Sequence, residues 1–153
     1  MRFVAAIAPV LGLALVLAGC GGGDEQAAEA TTAGVAPLTV ALHAENDSGR
    51  SGEARLEQVG DDEMRVTVKM DRGPTRTNMA HIHNVTCAEY RAMDSFSDQL
   101  GTIEDTLRAL RDGASETKVG APLAERATGG YAINVHEPTD PYMVIACGDI
   151  PKR

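Results

Sequence analysis

Met64-Arg65-Val66-Thr67-Val68-Lys69-Met70 alternates apolar and polar side chains without a break. A period of two puts Met64, Val66, Val68 and Met70 on one face of an extended chain, whereas a helix would scatter them around its circumference. Turn chemistry bounds the run on both sides, Gly60-Asp61-Asp62-Glu63 before it and Asp71-Arg72-Gly73-Pro74 after it. The same pattern precedes it. Thr39 to Ala44 reads as a strand with Val40 and Leu42 inward, Asn46-Asp47-Ser48-Gly49 as a turn, and Gly52 to Val59 as a second strand. Short strands separated by turns at this spacing imply an all-β chain, an antiparallel sandwich or barrel. Later strands are expected at Ser115 to Val119, Tyr131 to His136 and Tyr142 to Cys147, the last two joined by the short Glu137 to Pro141 connection. Pro122 to Arg126 reads as a short helix and Thr128-Gly129-Gly130 as a turn. Residues 88–112 read mostly as loop, with one short element over Ile103 to Leu110 that is either a helical turn or a strand of poor alternation.

The chain has 153 residues, 43% hydrophobic and 24% charged, enough for one domain with a real core and too little for two. Its first twenty residues stand apart. Arg2 is a short basic start, Phe3 to Leu17 is an apolar stretch shorter than a usual membrane span, and Leu17-Ala18-Gly19-Cys20 sets small residues before a cysteine. This resembles a bacterial lipobox. The resemblance implies a leader over 1–19, cleavage before Cys20 and a lipid on the Cys20 sulfur, which would anchor the protein to a bacterial membrane on its extracytoplasmic side. Residues 20–37 are rich in Gly, Ala, Thr and Glu with no apolar period, as in a flexible tether, and the folded domain is expected over 38–153. Export makes pairing of the two remaining cysteines chemically reasonable. The formal net charge of −8 argues against nucleic acid or an anionic membrane surface as partner, because both need a basic face.

Chemistry concentrates in Met79-Ala80-His81-Ile82-His83-Asn84-Val85-Thr86-Cys87. On a strand His81 and His83 share a face, and two imidazoles on one face make half of a metal site. A lone pair of this kind is more often a surface pair. A second stretch changes the balance: Tyr131-Ala132-Ile133-Asn134-Val135-His136, followed by Ile145-Ala146-Cys147-Gly148, adds a third histidine and a matching cysteine. Met79 shares the face of His81 and His83, and its thioether suits Cu(I), although a methionine on a strand more often serves packing. His43, alternating with Val40 and Leu42, belongs on the outer face of the first strand as a surface imidazole.

The order of these parts resembles the copper/zinc superoxide dismutase family: His-x-His on a strand, a cysteine four residues later, a late Val-His and a final Ala-Cys-Gly. The resemblance runs from about Thr39 to Ile150. It implies a Greek-key antiparallel β-barrel, with His81, His83 and His136 as copper ligands and Cys87 and Cys147 as an intrachain disulfide. Neutral imidazoles suit copper, and each must lose its proton to bind, so binding is expected to weaken as pH falls through the histidine range. Ala-His-Ile-His and Tyr-Ala-Ile-Asn-Val-His are also similar to chordin-type (CHRD) domains.

The departures from the dismutase pattern are equally specific. No histidine lies between Cys87 and His136, so the bridging ligand and the zinc histidines have no counterpart, and no zinc is expected. Val144 stands where the family's active-site arginine would be, three residues before the final cysteine, and the long electrostatic loop is reduced to Glu137 through Pro141. Three functions remain open: a copper-binding lipoprotein for sequestration or transfer, a copper-only dismutase, and a binding or structural module whose histidines merely hydrogen-bond. Positive potential guides superoxide to a metal, so Val144 and the acidic charge oppose dismutation.

Overall fold

The computed structural model describes residues 34–71 and 77–153. The leader over 1–19, Cys20, the first part of the tether and the Arg72-Gly73-Pro74 turn lie outside the described residues. Among the described residues no helix is long and apolar enough to cross a membrane.

Among the described residues eight strands carry the fold: β1 (Leu38–Ala44), β2 (Gly52–Gly60), β3 (Glu63–Met70), β4 (Asn78–His83), β5 (Ile103–Leu110), β6 (Ala114–Val119), β7 (Tyr131–Glu137) and β8 (Asp140–Ile150). Three short helices lie in the connections: α1 (Cys87–Arg91), α2 (Phe96–Gly101) and α3 (Leu123–Arg126). The spatial order is β5-β4-β7-β8-β1-β2-β3-β6, with every pair antiparallel. β5 and β6 stand at opposite ends of that order yet follow one another in the chain, so the sheet curls until its edges nearly meet. A two-residue turn holds them together. Arg111 and Ala114 exchange both backbone hydrogen bonds, at 2.9 and 3.0 Å, around Asp112 and Gly113 with φ of 51° and 80°, the left-handed pair a type I′ hairpin requires. β4 and β7 lie away from their chain predecessors β3 and β6 in the strand order, so the protein is a nearly closed Greek-key barrel.

The alternation read in the sequence is what fills this barrel. Met64, Val66 and Val68 are fully buried and join Leu42, Leu56, Ile82, Leu110, Ile133, Ile145 and Ile150 in one core. The intervening side chains face outward and pair across strands, Arg65 with Glu116 at 3.5 Å and Lys118 with Glu63 at 3.2 Å. Gly148 sits where β8 passes under β1. A Cβ there would collide with the Ala41 carbonyl and lie 2.8 Å from Val40 Cγ1, which is why the final Ala-Cys must be followed by glycine.

Residues 88–112 differ from the expected loop: they hold two helices and an eight-residue strand. α1 has a capping box, with Glu89 N donating to Thr86 Oγ1 at 3.2 Å and Thr86 N donating to Glu89 Oε2 at 2.7 Å. Ser95 caps α2 by accepting from Asp98 N at 3.1 Å. β5 is a strand whose ladder to β4 is bulged: Asn78 faces Leu110 but Ala80 faces Leu107. The extra residue breaks the inward-outward alternation, and that is why this stretch looked ambiguous. β8 also extends further than Tyr142 to Cys147, so most of the short 137–141 connection belongs to the strands.

Candidate metal centre

β4 divides its side chains cleanly. Ala80 and Ile82 enter the barrel core at 1% and 0% exposure, leaving Met79, His81 and His83 on the outer face. β7 pairs with β4 so that His81 faces Asn134 and Ala80 faces Val135, which brings His136 to the same outer face beside His81. Asn78 fixes this approach by donating from Nδ2 to the His136 carbonyl at 2.6 Å. The three ring nitrogens offered by His81, His83 and His136 all lie within 4.8 Å of one another. His43 takes no part. It is exposed on β1, paired in register with Cys147.

The segment between β4 and β5 roofs this face. Cys87 at the start of α1 is disulfide-bonded to Cys147 on β8, with Cα atoms 6.0 Å apart, and the Cys87 N–H donates to Asp149 Oδ1 at 2.6 Å. Tyr90 on α1 packs edge-on against His83, ring centroids 4.8 Å apart. Burial raises the Tyr90 phenol above its ordinary pKa, partly offset by the neighbouring Asn134 amide.

Hydrogen bonding fixes which nitrogen of His83 is free. Thr102 Oγ1 donates to the Gln99 carbonyl at 2.7 Å, so its single proton is used and it accepts from His83 Nδ1–H at 2.8 Å. The lone pair of His83 therefore sits on Nε2, which is buried and has no hydrogen-bond partner. A buried acceptor left without a donor is costly, and a metal ion is one species that satisfies it. His81 Nδ1 and His136 Nε2 are 3.1 Å apart. Three imidazole nitrogens, one of them oriented by Thr102, thus form a group that could hold a metal ion.

Burial and mutual repulsion keep these rings neutral. His83 is pushed down to about 3, by burial first and then by His136 and His81. His136 is lowered to about 4 by burial and by His81, with the Pro141 carbonyl acting in the opposite sense. His81 is lowered by burial alone. Two of the three rings therefore need not lose a proton near pH 6.5, and proton competition with a metal moves to the acid side of the ordinary histidine range.

A cavity of about 300 Å³ opens onto the histidines, lined chiefly by Met79, Tyr90, Phe96, Leu100, Ile103 and Tyr142. Among the described residues no lysine or arginine lines it. Val144 is buried beside Tyr90 and the disulfide. Arg91 lines a separate cavity of about 140 Å³ together with Val144 and is ion-paired to Glu45 at 2.5 Å. Sequence reasoning found the three histidines but missed Thr102, Tyr90 and Gln99. The Thr86-x-x-Glu89 and Ser95-x-x-Asp98 capping patterns are the signals that would have placed helices there.

No protein-family model matches the chain, and no curated protein matches it in sequence. Among solved structures it is similar to a mutant form of superoxide dismutase 5 from Candida albicans, with a TM-score of 0.51 and 14% identity over 77% of this chain and 92% of that one. At that identity the likeness speaks to architecture alone, and it agrees with the strand order above: the protein is an eight-stranded antiparallel barrel of the superoxide dismutase fold.

Proposed function

We propose that the protein is an extracytoplasmic lipoprotein that binds one copper ion through His81, His83 and His136 and serves in copper sequestration or transfer. The observation that carries this reading is the buried, unpartnered Nε2 of His83, oriented by Thr102 into a group of three histidine nitrogens within 4.8 Å. Copper(II) stands above zinc in affinity for such nitrogen sites, and no histidine lies between Cys87 and His136 to form a separate zinc site. Bound copper would supply a Lewis-acidic and redox-active centre. The histidines would hold it, the 84–102 segment would limit access of water, and Cys20 would tether the domain to the membrane.

A second reading, a copper-only dismutase, is favoured by the fold. It is opposed by the apolar cavity, by Val144, and by the neutralisation of Arg91 by Glu45. Titration of the purified protein with Cu(II) tests the proposal. One copper per chain with nitrogen coordination is expected, severely weakened by alanine at any of the three histidines and unchanged in His43→Ala. Binding that survives His81→Ala/His136→Ala would place the site elsewhere, and absence of binding would favour a structural, CHRD-like module. Superoxide consumption well above that of free copper would favour the enzyme.

A further inference from the structure

Met79 has the wrong surroundings for a packing residue. Its β4 neighbours Asn78 and Ala80 are buried at 0% and 1%, whereas Met79 is 41% exposed. It lies on the strand face of His81 and His83 and lines the cavity that opens onto all three histidines. Phe96, Leu100 and Tyr142, three of the other large hydrophobic side chains left exposed, line the same cavity. The mouth of the site is thus an apolar collar containing one sulfur donor. Among the described residues no carboxylate or ammonium group stands beside it in that lining.

We infer that Met79 is a fourth ligand of this centre, selective for Cu(I): its thioether closes over the ion from the cavity mouth in the reduced state and stays off Cu(II). The inference rests on the copper reading above. Positions two apart on a strand are roughly 6.5–7 Å apart, and the unbranched methionine chain, with three rotatable bonds and no core contacts to hold it, can lean over that distance. Thioether sulfur is a soft donor that favours Cu(I), while the three imidazoles accept either oxidation state. The apolar collar adds to the selectivity, since among the described residues it offers no carboxylate that Cu(II) would otherwise recruit. Coordination forms one sulfur–copper bond and releases no proton, so unlike histidine binding it carries no pH cost.

The test uses Met79→Leu, which keeps the volume and apolar character, with Met143→Leu as control. Met143 is 38% exposed but does not line the cavity. Cu(I) affinity is read anaerobically against a chromophoric Cu(I) chelator, and Cu(II) affinity in a parallel competition. Met79→Leu should weaken Cu(I) binding by roughly tenfold or more and leave Cu(II) binding nearly unchanged, while Met143→Leu changes neither. In methyl-labelled methionine NMR, added Cu(I) should shift the Met79 signal and leave that of Met143 in place. Cu(I) affinity equal to wild type, or equal losses for both oxidation states, would overturn the role of Met79 while leaving the histidine site standing. Failure of the wild-type protein to bind copper in either state would overturn both.

Discussion

Replacing Cys87 and Cys147 together by alanine tests how the roof over the metal centre is held. The bond spans 60 residues of sequence, and in the chain-entropy account closing a loop of that length removes about 4 kcal/mol of freedom from the unfolded chain. Against the 5–15 kcal/mol typical of a domain, this is a large share, so the urea midpoint of the double variant should fall far below that of wild type. The two cysteines are also buried, at 7% and 3% exposure, with Tyr90, Ala132 and Val144, and removal of their sulfurs adds a packing loss in the same direction. A second effect should be separable. With the clamp gone, α1 is held to β8 chiefly by the Cys87 N–H to Asp149 bond, so Tyr90 loses its fixed position against His83, and copper affinity of the still-folded variant should drop as well. Urea titration of metal-free protein and Cu(II) competition at low denaturant read the two effects independently. A stability loss below about 1 kcal/mol would refute the loop-closure argument. A full stability loss with unchanged copper affinity would refute the claim that the clamp organises the site. Two free thiols in unfolded, unreduced protein would remove the premise.

Thr102→Val keeps the shape but deletes the acceptor for His83 Nδ1–H, so copper affinity should fall by roughly ten- to a hundredfold with the barrel intact; an unchanged affinity would show that Thr102 does not set the tautomer. Acid should destabilise the metal-free protein well before carboxylates titrate. The buried rings sit below their unfolded pKa of 6.5, so the unfolded chain takes up protons first; stability is full above 6.5 and is lost as pH falls toward about 4 for His136 and about 3 for His83, by about 1.4 kcal/mol per pH unit per ring. A urea midpoint that stays level between about pH 6.5 and 5 would contradict this. Cys20→Ser should release the protein from the membrane fraction without altering the thermal unfolding of the domain, because the tether separates the two; retention after a salt wash would count against the lipid anchor.

What could be read in advance follows from how local each signal is. β1, β2 and β3 are hairpin-linked strands with strict alternation, so Val40, Leu42, Met64, Val66 and Val68 announced the core by themselves. β5 did not, because its ladder is bulged opposite Met79 and its hairpin partner is reached through Asp112-Gly113, a turn signal outweighed by the irregular pattern around it. The approach of His136 to His81 is not a local property: it depends on β4 and β7 being neighbours in the barrel, which only the resemblance supplied. Thr102 and Tyr90 reach His83 from helices whose capping signals were present but whose docking is tertiary. The burial of Val144 beside Tyr90 and the disulfide, and the apolar lining made by Phe96 and Tyr142, follow from tertiary packing that no local pattern carries.

The three histidines point away from the barrel interior, so the candidate ligands and the side chains of the core are almost disjoint sets. Ala80 and Ile82 alternate with His81 and His83 on one strand, yet only the alanine and the isoleucine belong to the core. Such a scaffold is evolvable in a specific sense. With Cys87 kept for its bond to β8 and Thr102 for its bond to His83, the rest of the 84–102 segment could be lengthened, recharged or exchanged without touching the barrel core. Grafting a segment bearing a cation over the same three imidazoles is accordingly the natural engineering route from a binding centre to an anion-consuming one.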